Sequence, residues 1–267
     1  SEYGMTGVHP RLDHYSPQSD WHNLTAISGF MMGLMERPHI IEKSAPFMIM
    51  KALWWSHETG NPYRTRLLRE VDGEWVYTEL AHFYELWSRV KGERLWVQAS
   101  APDIQTAAFA DGNTIHLVLN SLDLEPVPVQ INLPEAAEPR RVTLRHLHAP
   151  EGKPVFDQIE LDAVPEMLEI GEQATAILEL HYDEVPAATA LVNETKHYAD
   201  SYLHEITEQP LEFEISGKKA SHGSLRLGTY REHGMTIPPS GLFNGQPLDV
   251  PSDWRVFDQS TRACVFG

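Results

Sequence analysis

A single cysteine, Cys264, stands among 267 residues. One thiol can neither close an internal disulfide nor build a multi-cysteine metal site, although a secreted chain can dispense with disulfides, so the compartment stays open on this count. Positive charge is scarce as well: 21 Lys and Arg face 38 Asp and Glu, a net charge of −17. Such a surface repels phosphate backbones and anionic headgroups, which argues against nucleic acid and membrane partners. Long apolar runs are missing. The richest, residues 26–35, is interrupted by Ser28, Gly29 and Gly33 and is about half of the roughly 18 to 20 residues that span a bilayer. The opening Ser1-Glu2-Tyr3-Gly4 has no initiator Met, basic start or apolar run, and is expected to be mature, processed or incomplete sequence. There is no Gly-rich phosphate loop, no Gly-x-Ser-x-Gly elbow and, despite 14 His, no His-Glu-x-x-His pair. No metal and no cofactor are expected.

What is present is an ordinary globular balance, 42% hydrophobic and 22% charged, enough to bury a sizeable core. Three textures divide it. Residues 1–96 read as α/β. Trp21, Leu24, Ile27, Met31 and Met35 recur at helical spacing after Ser16-Pro17 and Ser19-Asp20, and the helix should end before Pro38. Gly29 and Gly33 inside it suggest close helix packing. Residues 47–55 form a nearly continuous apolar run, as in a strand buried on both faces. A long polar loop with Gly60-Asn61-Pro62 follows, then Thr78 as a cap and a helix through Leu80, Phe83, Leu86 and Val90, closed by Gly92. Residues 97–185 show short β-rich segments at 106–110, 114–119, 127–133, 142–148, 159–161 and 174–181. Asp111-Gly112-Asn113 marks a hairpin between the first two. This spacing predicts an antiparallel β-sandwich. Past a hinge at Pro186-Ala187-Ala188, residues 186–267 hold further β-like segments at 211–215 and 224–229. No closing strand or tail is visible there, so this region could be incomplete.

Several residues could carry chemistry. On spacing alone Glu2 reads as an ordinary exposed terminal acid, or as a carboxylate at the carboxyl end of a barrel strand, ahead of His9, Asp13, His14 and Tyr15. Trp54-Trp55 either fill the core or offer ring faces to a sugar, whose axial C–H bonds are electropositive against the π face. Lys51 either reaches a site at the strand end or points outward. His146 and His148 share one strand face, more simply as a solvated face than as a ligand pair.

In combination, Ser1-Glu2-Tyr3-Gly4, Leu12-Asp13-His14-Tyr15-Ser16, the helix at 21–35, the run Phe47-Met48-Ile49-Met50-Lys51-Ala52-Leu53-Trp54-Trp55 and the two β-rich regions resemble glycoside hydrolase family 86, the β-agarases and β-porphyranases. The resemblance covers the chain in order, but only the later part of a full-length member. It implies α/β plus all-β architecture: the last two βα units of a (β/α)8 TIM barrel, followed by two antiparallel β-sandwich domains at 97–185 and 186–267. It also implies a retaining endo-hydrolase of β-1,4 linkages in red-algal galactan, agarose or porphyran, with Glu2 as the nucleophile. Tyr3, His14, Tyr15, Trp54, Trp55, His57, Asn61 and Tyr63 would line the sugar site. The acid/base lies on the family's fourth strand, so a separate chain or sequence beyond these 267 residues would have to supply it with the missing barrel units. A polymer substrate implies secretion. The competing expectation is a non-catalytic carbohydrate-binding or scaffold protein, with Tyr198, Tyr202, Tyr230 and Trp254 as its platform. In the hydrolase reading the neighbourhood of Trp87 and Trp96 joins sandwich to barrel.

Overall fold

A computed structural model of the chain describes residues 2–3, 15–38, 40–48, 50–51, 66–101, 103–133, 138–184, 195–201, 204–205, 209–216, 227–230, 240–248 and 263–266. Strand β1 (Glu2–Tyr3), helix α1 (Pro17–Met35) and strand β2 (Ala45–Pro46) form a parallel crossover, with Glu2 opposite Ala45 and Tyr3 opposite Pro46. Parallel neighbours require such a connection, and a helix is its usual form. Ser16, in extended conformation, accepts the Ser19 N–H on its hydroxyl oxygen at 3.2 Å, and Pro17 occupies the first helical position, where an N–H is dispensable. The helix therefore begins four residues before Trp21.

The strand expected over 47–55 is not seen in its described part. Pairing stops at Pro46, and the Met48 N–H turns back to donate to the Pro46 carbonyl at 2.8 Å. An apolar run predicts burial, but a ladder needs a neighbouring backbone, and among the described residues β1 offers one to Ala45 and Pro46 alone. The loop expected next contains a hairpin, β3 (Leu68–Val71) and β4 (Glu74–Tyr77). Its turn, Asp72-Gly73, has both φ angles positive, at 52° and 83°, the signature of the tight turns that match strand twist. Thr78 does not cap the next helix, α2 (Ala81–Trp87). Its hydroxyl donates to the Arg66 carbonyl at 2.7 Å, and the N–H of Glu79 is instead accepted by Asp20 Oδ2 of α1 at 3.0 Å.

Strand β5 (Glu93–Leu95) opens the main sheet one residue after Gly92. Gly92 has φ +114°, and a Cβ there would lie 2.1 Å from the Ala110 carbonyl oxygen, so only glycine fits. The chain continues through β6 (Ile104–Asp111), β7 (Thr114–Ser121), β8 (Val127–Gln130), β9 (Arg141–His148), β10 (Val155–Leu161), β11 (Met167–Ile170) and β12 (Thr175–His181). The antiparallel sheet has the order β10-β9-β12-β7-β6-β5, and β11-β8 form a separate ribbon. The predicted hairpin is present, with Asp111 opposite Thr114. Beyond it, β13 (Leu227–Tyr230) pairs with β16 (Ala263–Phe266), and β14 (Leu242–Phe243) with β15 (Gln246–Pro247). The strand expected at 211–215 is irregular. Its described cross-chain bonds run only between Glu214 and Asp200, too few for a ladder.

Register divides the main sheet into two faces. Ala108, Leu117, Leu119, Val142, Leu144, Ala176, Leu178 and Leu180 fall on one, and they share a core with Val127, Val129, Leu168 and Ile170 of the ribbon. The other face meets the helices: Gln105 Nε2 donates to the Gly29 carbonyl at 3.5 Å, and Phe156 stacks with His82 at 6.3 Å. This face mixes Val118, Ile177 and Leu147 with buried Asn120, Thr175, His116, Glu179 and Arg145. Arg145 and Glu179, each 2% exposed, pair at 3.3 Å; Arg145 also donates to the Glu85 carbonyl of α2, and Arg89 reaches Glu179 at 3.5 Å. Trp87 is buried in this core, and Trp96 is 64% exposed. Among the described residues no helix is long and apolar enough to cross a membrane.

Two stability predictions follow from these contacts. Glu179→Ala leaves Arg145 buried without its counter-charge and should cost about 3–5 kcal/mol in urea unfolding, while the joint Arg145→Met, Glu179→Leu replacement should cost clearly less. A Cβ at Gly33 meets nothing within 4 Å, and one at Gly29 meets only ordinary contacts. Among the described residues neither glycine is therefore closely packed, and Gly33→Ala should raise stability by about 0.5–1 kcal/mol in the same assay.

Candidate active site

Because α1 connects two parallel strands, its N-terminus lies at the carboxyl end of β1, the strand that carries Glu2 and Tyr3. The Asp20 carboxylate joins this end of α1 to the approach to α2 through the Glu79 N–H. Around it gather Tyr15, Arg69 of β3 and Glu79, with the Arg69 guanidinium 4.5 Å over the Tyr15 ring. Asp20 is 1% exposed. Burial raises its pKa from 3.8 to about 7, a shift that the Glu79 N–H opposes and the Glu79 charge reinforces. Burial, with the Asp20 and Glu79 charges and against the pull of Arg69, pushes Tyr15 up to about 12. A carboxyl that titrates near neutrality at this end of the helices can hold or release a proton where charged side chains converge.

Of the residues expected to act on a sugar, Glu2 and Tyr3 are placed by their backbone on β1, and Tyr15 lies in the Asp20 cluster. His14, Trp54, Trp55, His57, Asn61 and Tyr63 lie outside the described residues. So do Tyr202 and Trp254 of the alternative platform; Tyr198 is exposed and Tyr230 belongs to β13. Lys51 does point outward, and its Nζ lies 4.1 Å from the centroid of the Trp75 ring. Sequence reasoning missed Asp20 as a titrating group, because its partner lies 59 residues away. It also passed over Trp75 and Tyr77, although Trp-x-Tyr after an Asp-Gly turn was a usable signal.

Other clusters are elsewhere. His146 and His148 stack at 4.4 Å, His148 meets Asp157 at 2.8 Å, and burial lowers the His146 pKa to about 4. Among the described residues no group of three side chains could hold a metal ion. A polar depression of about 290 Å³ lies at the β6–β7 turn. There Arg140 pairs with Asp183, and Arg141 donates to His181.

Residues 103–204, which hold most of the main sheet, match the family described as porphyranase β-sandwich domain 1. The chain matches glycoside hydrolase family 86, specifically the C-terminal part of its full-length proteins. It is 34% identical over 281 residues to a funoran endo-β-hydrolase of Wenyingzhuangia aestuarii, spanning all of this chain and 38% of that relative. A β-porphyranase of family 86 from Bacteroides plebeius is 27% identical with a TM-score of 0.77, over all of this chain and 49% of that one. A wild-type family 86 protein solved in complex with neoagarooctaose is 31% identical with a TM-score of 0.81, over all of this chain and 45% of that one. The chain thus spans less than half the length of these relatives.

The two unusual titrations have opposite signs. Between about pH 4 and about pH 7 folded Asp20 keeps a proton that the unfolded chain has released, so its contribution to stability falls as pH rises through this window. His146 acts the other way: its contribution is present above about pH 6.5 and is lost as pH falls toward about 4. Asp20→Asn retains an acceptor for the Glu79 N–H. Its stability relative to the parent should therefore rise steadily from about pH 4 to about pH 7 in urea unfolding; a difference that does not change with pH would refute the shift.

Proposed function

We propose that the chain is the C-terminal portion of a retaining endo-hydrolase of β-1,4 galactosidic linkages in red-algal galactan, agarose or porphyran. The single observation that carries this reading is the similarity, along all of this chain and under half of theirs, to family 86 proteins, among them one solved with neoagarooctaose. Residues 1–96 would then be the C-terminal part of a (β/α)8 barrel, 97–185 a first β-sandwich and 186–267 a second. The parallel pairing of β1 with β2 supports a barrel origin, since closed barrels of this kind are all-parallel.

In this mechanism a Glu2 carboxylate oxygen attacks the anomeric carbon and forms a covalent glycosyl-enzyme. A second carboxyl, from barrel sequence outside these 267 residues, protonates the departing glycosidic oxygen. That same group then takes a proton from water, whose oxygen attacks the anomeric carbon and releases Glu2 with net retention. Tyr3, His14, His57, Asn61 and Tyr63 would bond sugar hydroxyls, and Trp54 or Trp55 would stack on the ring next to the cleaved bond. Tyr15, held under Arg69 beside Asp20, would order the loop that leads from Glu2 into α1. The barrel remainder acts as a partner, whether in the same polypeptide or a separate one. Secretion follows from a polymer that cannot enter a cell intact.

The test is Glu2→Gln in the full-length protein, with reducing-end release from agarose and porphyran as the readout. Turnover should fall by at least about 10³-fold while the variant still binds the polysaccharide. Unchanged turnover would remove Glu2 from the mechanism. Binding without turnover in the parent as well would leave a carbohydrate-binding protein.

A further inference from the structure

We propose that the outward face of the β3–β4 hairpin is a sugar-stacking subsite for a galactan chain, formed by Trp75 and Tyr77; this rests on the hydrolase reading above. Register assigns the hairpin two faces. Arg69 lies opposite Val76, and that side turns inward, with Arg69 over the Tyr15 ring. Glu70 lies opposite Trp75 and Leu68 opposite Tyr77, so both aromatics share the other face with Glu70. Tyr77 is 68% exposed, and Glu70 is exposed beside a half-buried Trp75. Among the described residues the Tyr77 ring is therefore free to meet a ligand, with Trp75 beside it on the same face.

The surroundings fit a pyranose chain. Aromatic faces attract the electropositive C–H face of a sugar, and the flanking Glu70 carboxylate and Lys51 ammonium can bond its equatorial hydroxyls. Lys51, 4.1 Å from the Trp75 centroid, also steadies the indole through a cation–π contact. The hairpin is braced by its Asp72-Gly73 turn and by the Leu68 N–H, which donates to the Met50 carbonyl at 3.0 Å. A braced platform loses little entropy on binding. It leads directly into α2, at the end where Asp20 joins the two helices. The N-terminus of α1, the helix that follows β1 in the chain, lies at this same end. An occupant longer than the cleavage site itself is suggested by a structural relative that holds an eight-unit sugar, neoagarooctaose. The hairpin would grip the part of the chain lying beyond the bond that is cut.

The experiment is calorimetric titration of the full-length protein, every form carrying Glu2→Gln so that the sugar is bound and not cleaved, with neoagarooctaose, neoagarotetraose and the porphyran oligosaccharides of matching length. The parent is compared with Tyr77→Ala, Tyr77→Phe and Lys51→Gln, each checked for native near-UV circular dichroism. Tyr77→Ala should weaken binding of the longer sugar by about three- to tenfold and that of the shorter one less. Tyr77→Phe should restore it, and Lys51→Gln should lose a smaller factor. Equal affinity of parent and Tyr77→Ala for an octasaccharide that both bind would overturn the platform and leave the hydrolase reading intact. A parent that binds none of these galactans, and that with Glu2 restored cleaves none of them, would overturn both.

Discussion

The ion pair between Arg145 and Glu179 is the contact around which the main sheet and the helices are arranged. Two charges have left water there, and that cost is offset only if geometry and further bonds compensate. Glu85 of α2 supplies a carbonyl to Arg145, and Arg89 approaches the second oxygen of Glu179. Phe156 lies under the guanidinium at 5.4 Å. A second polar chain runs parallel to it, from Thr175 through Asn120 to Gln105 and on to the Gly29 carbonyl of α1. Each helix is thereby fixed to the sheet by directional bonds as well as by apolar contact. Gly92 permits the short passage from α2 into β5, so the covalent and non-covalent connections agree on one position.

The same directional logic reaches the candidate site. Asp20 binds the chain before α2, and Arg69 and Tyr15 close over it. The hairpin that bears Trp75 and Tyr77 is thus attached on its inward face to the ordering of the helix ends. A loop carrying binding groups gains precision when its other face is bonded in this way.

Local signals were legible in the sequence and distant ones were not. Ser16-Pro17 announced the start of α1, and Asp111-Gly112-Asn113 announced the β6–β7 turn, because each is settled within a few residues. The alternating or apolar runs behind β7, β9 and β12 were likewise visible, since the sheet they form buries them. The strands β5 and β11 escaped notice, being three and four residues long, and β11 is defined by a partner some way back along the chain, β8. Thr78 looked like a cap because its residue type suits one; the carbonyl it serves belongs to Arg66, placed there by the β3–β4 pairing. For the site, the family resemblance supplied Glu2 and its companions by position. The titration of Asp20 depends on burial under residues from three separate segments, which no spacing encodes.

The half-polar face that the main sheet turns toward α1 and α2 bears on what the sheet presents when it is parted from them. A wholly greasy face would make the sheet insoluble whenever it was parted from its helices, whether during synthesis on the ribosome or after a recombination event. With Gln105, Asn120, Thr175, His116, Glu179 and Arg145 on that surface, the detached sheet would meet water with groups that water can solvate. Parting the sheet from its helices would therefore expose a surface that water can solvate in part, rather than an unbroken apolar one.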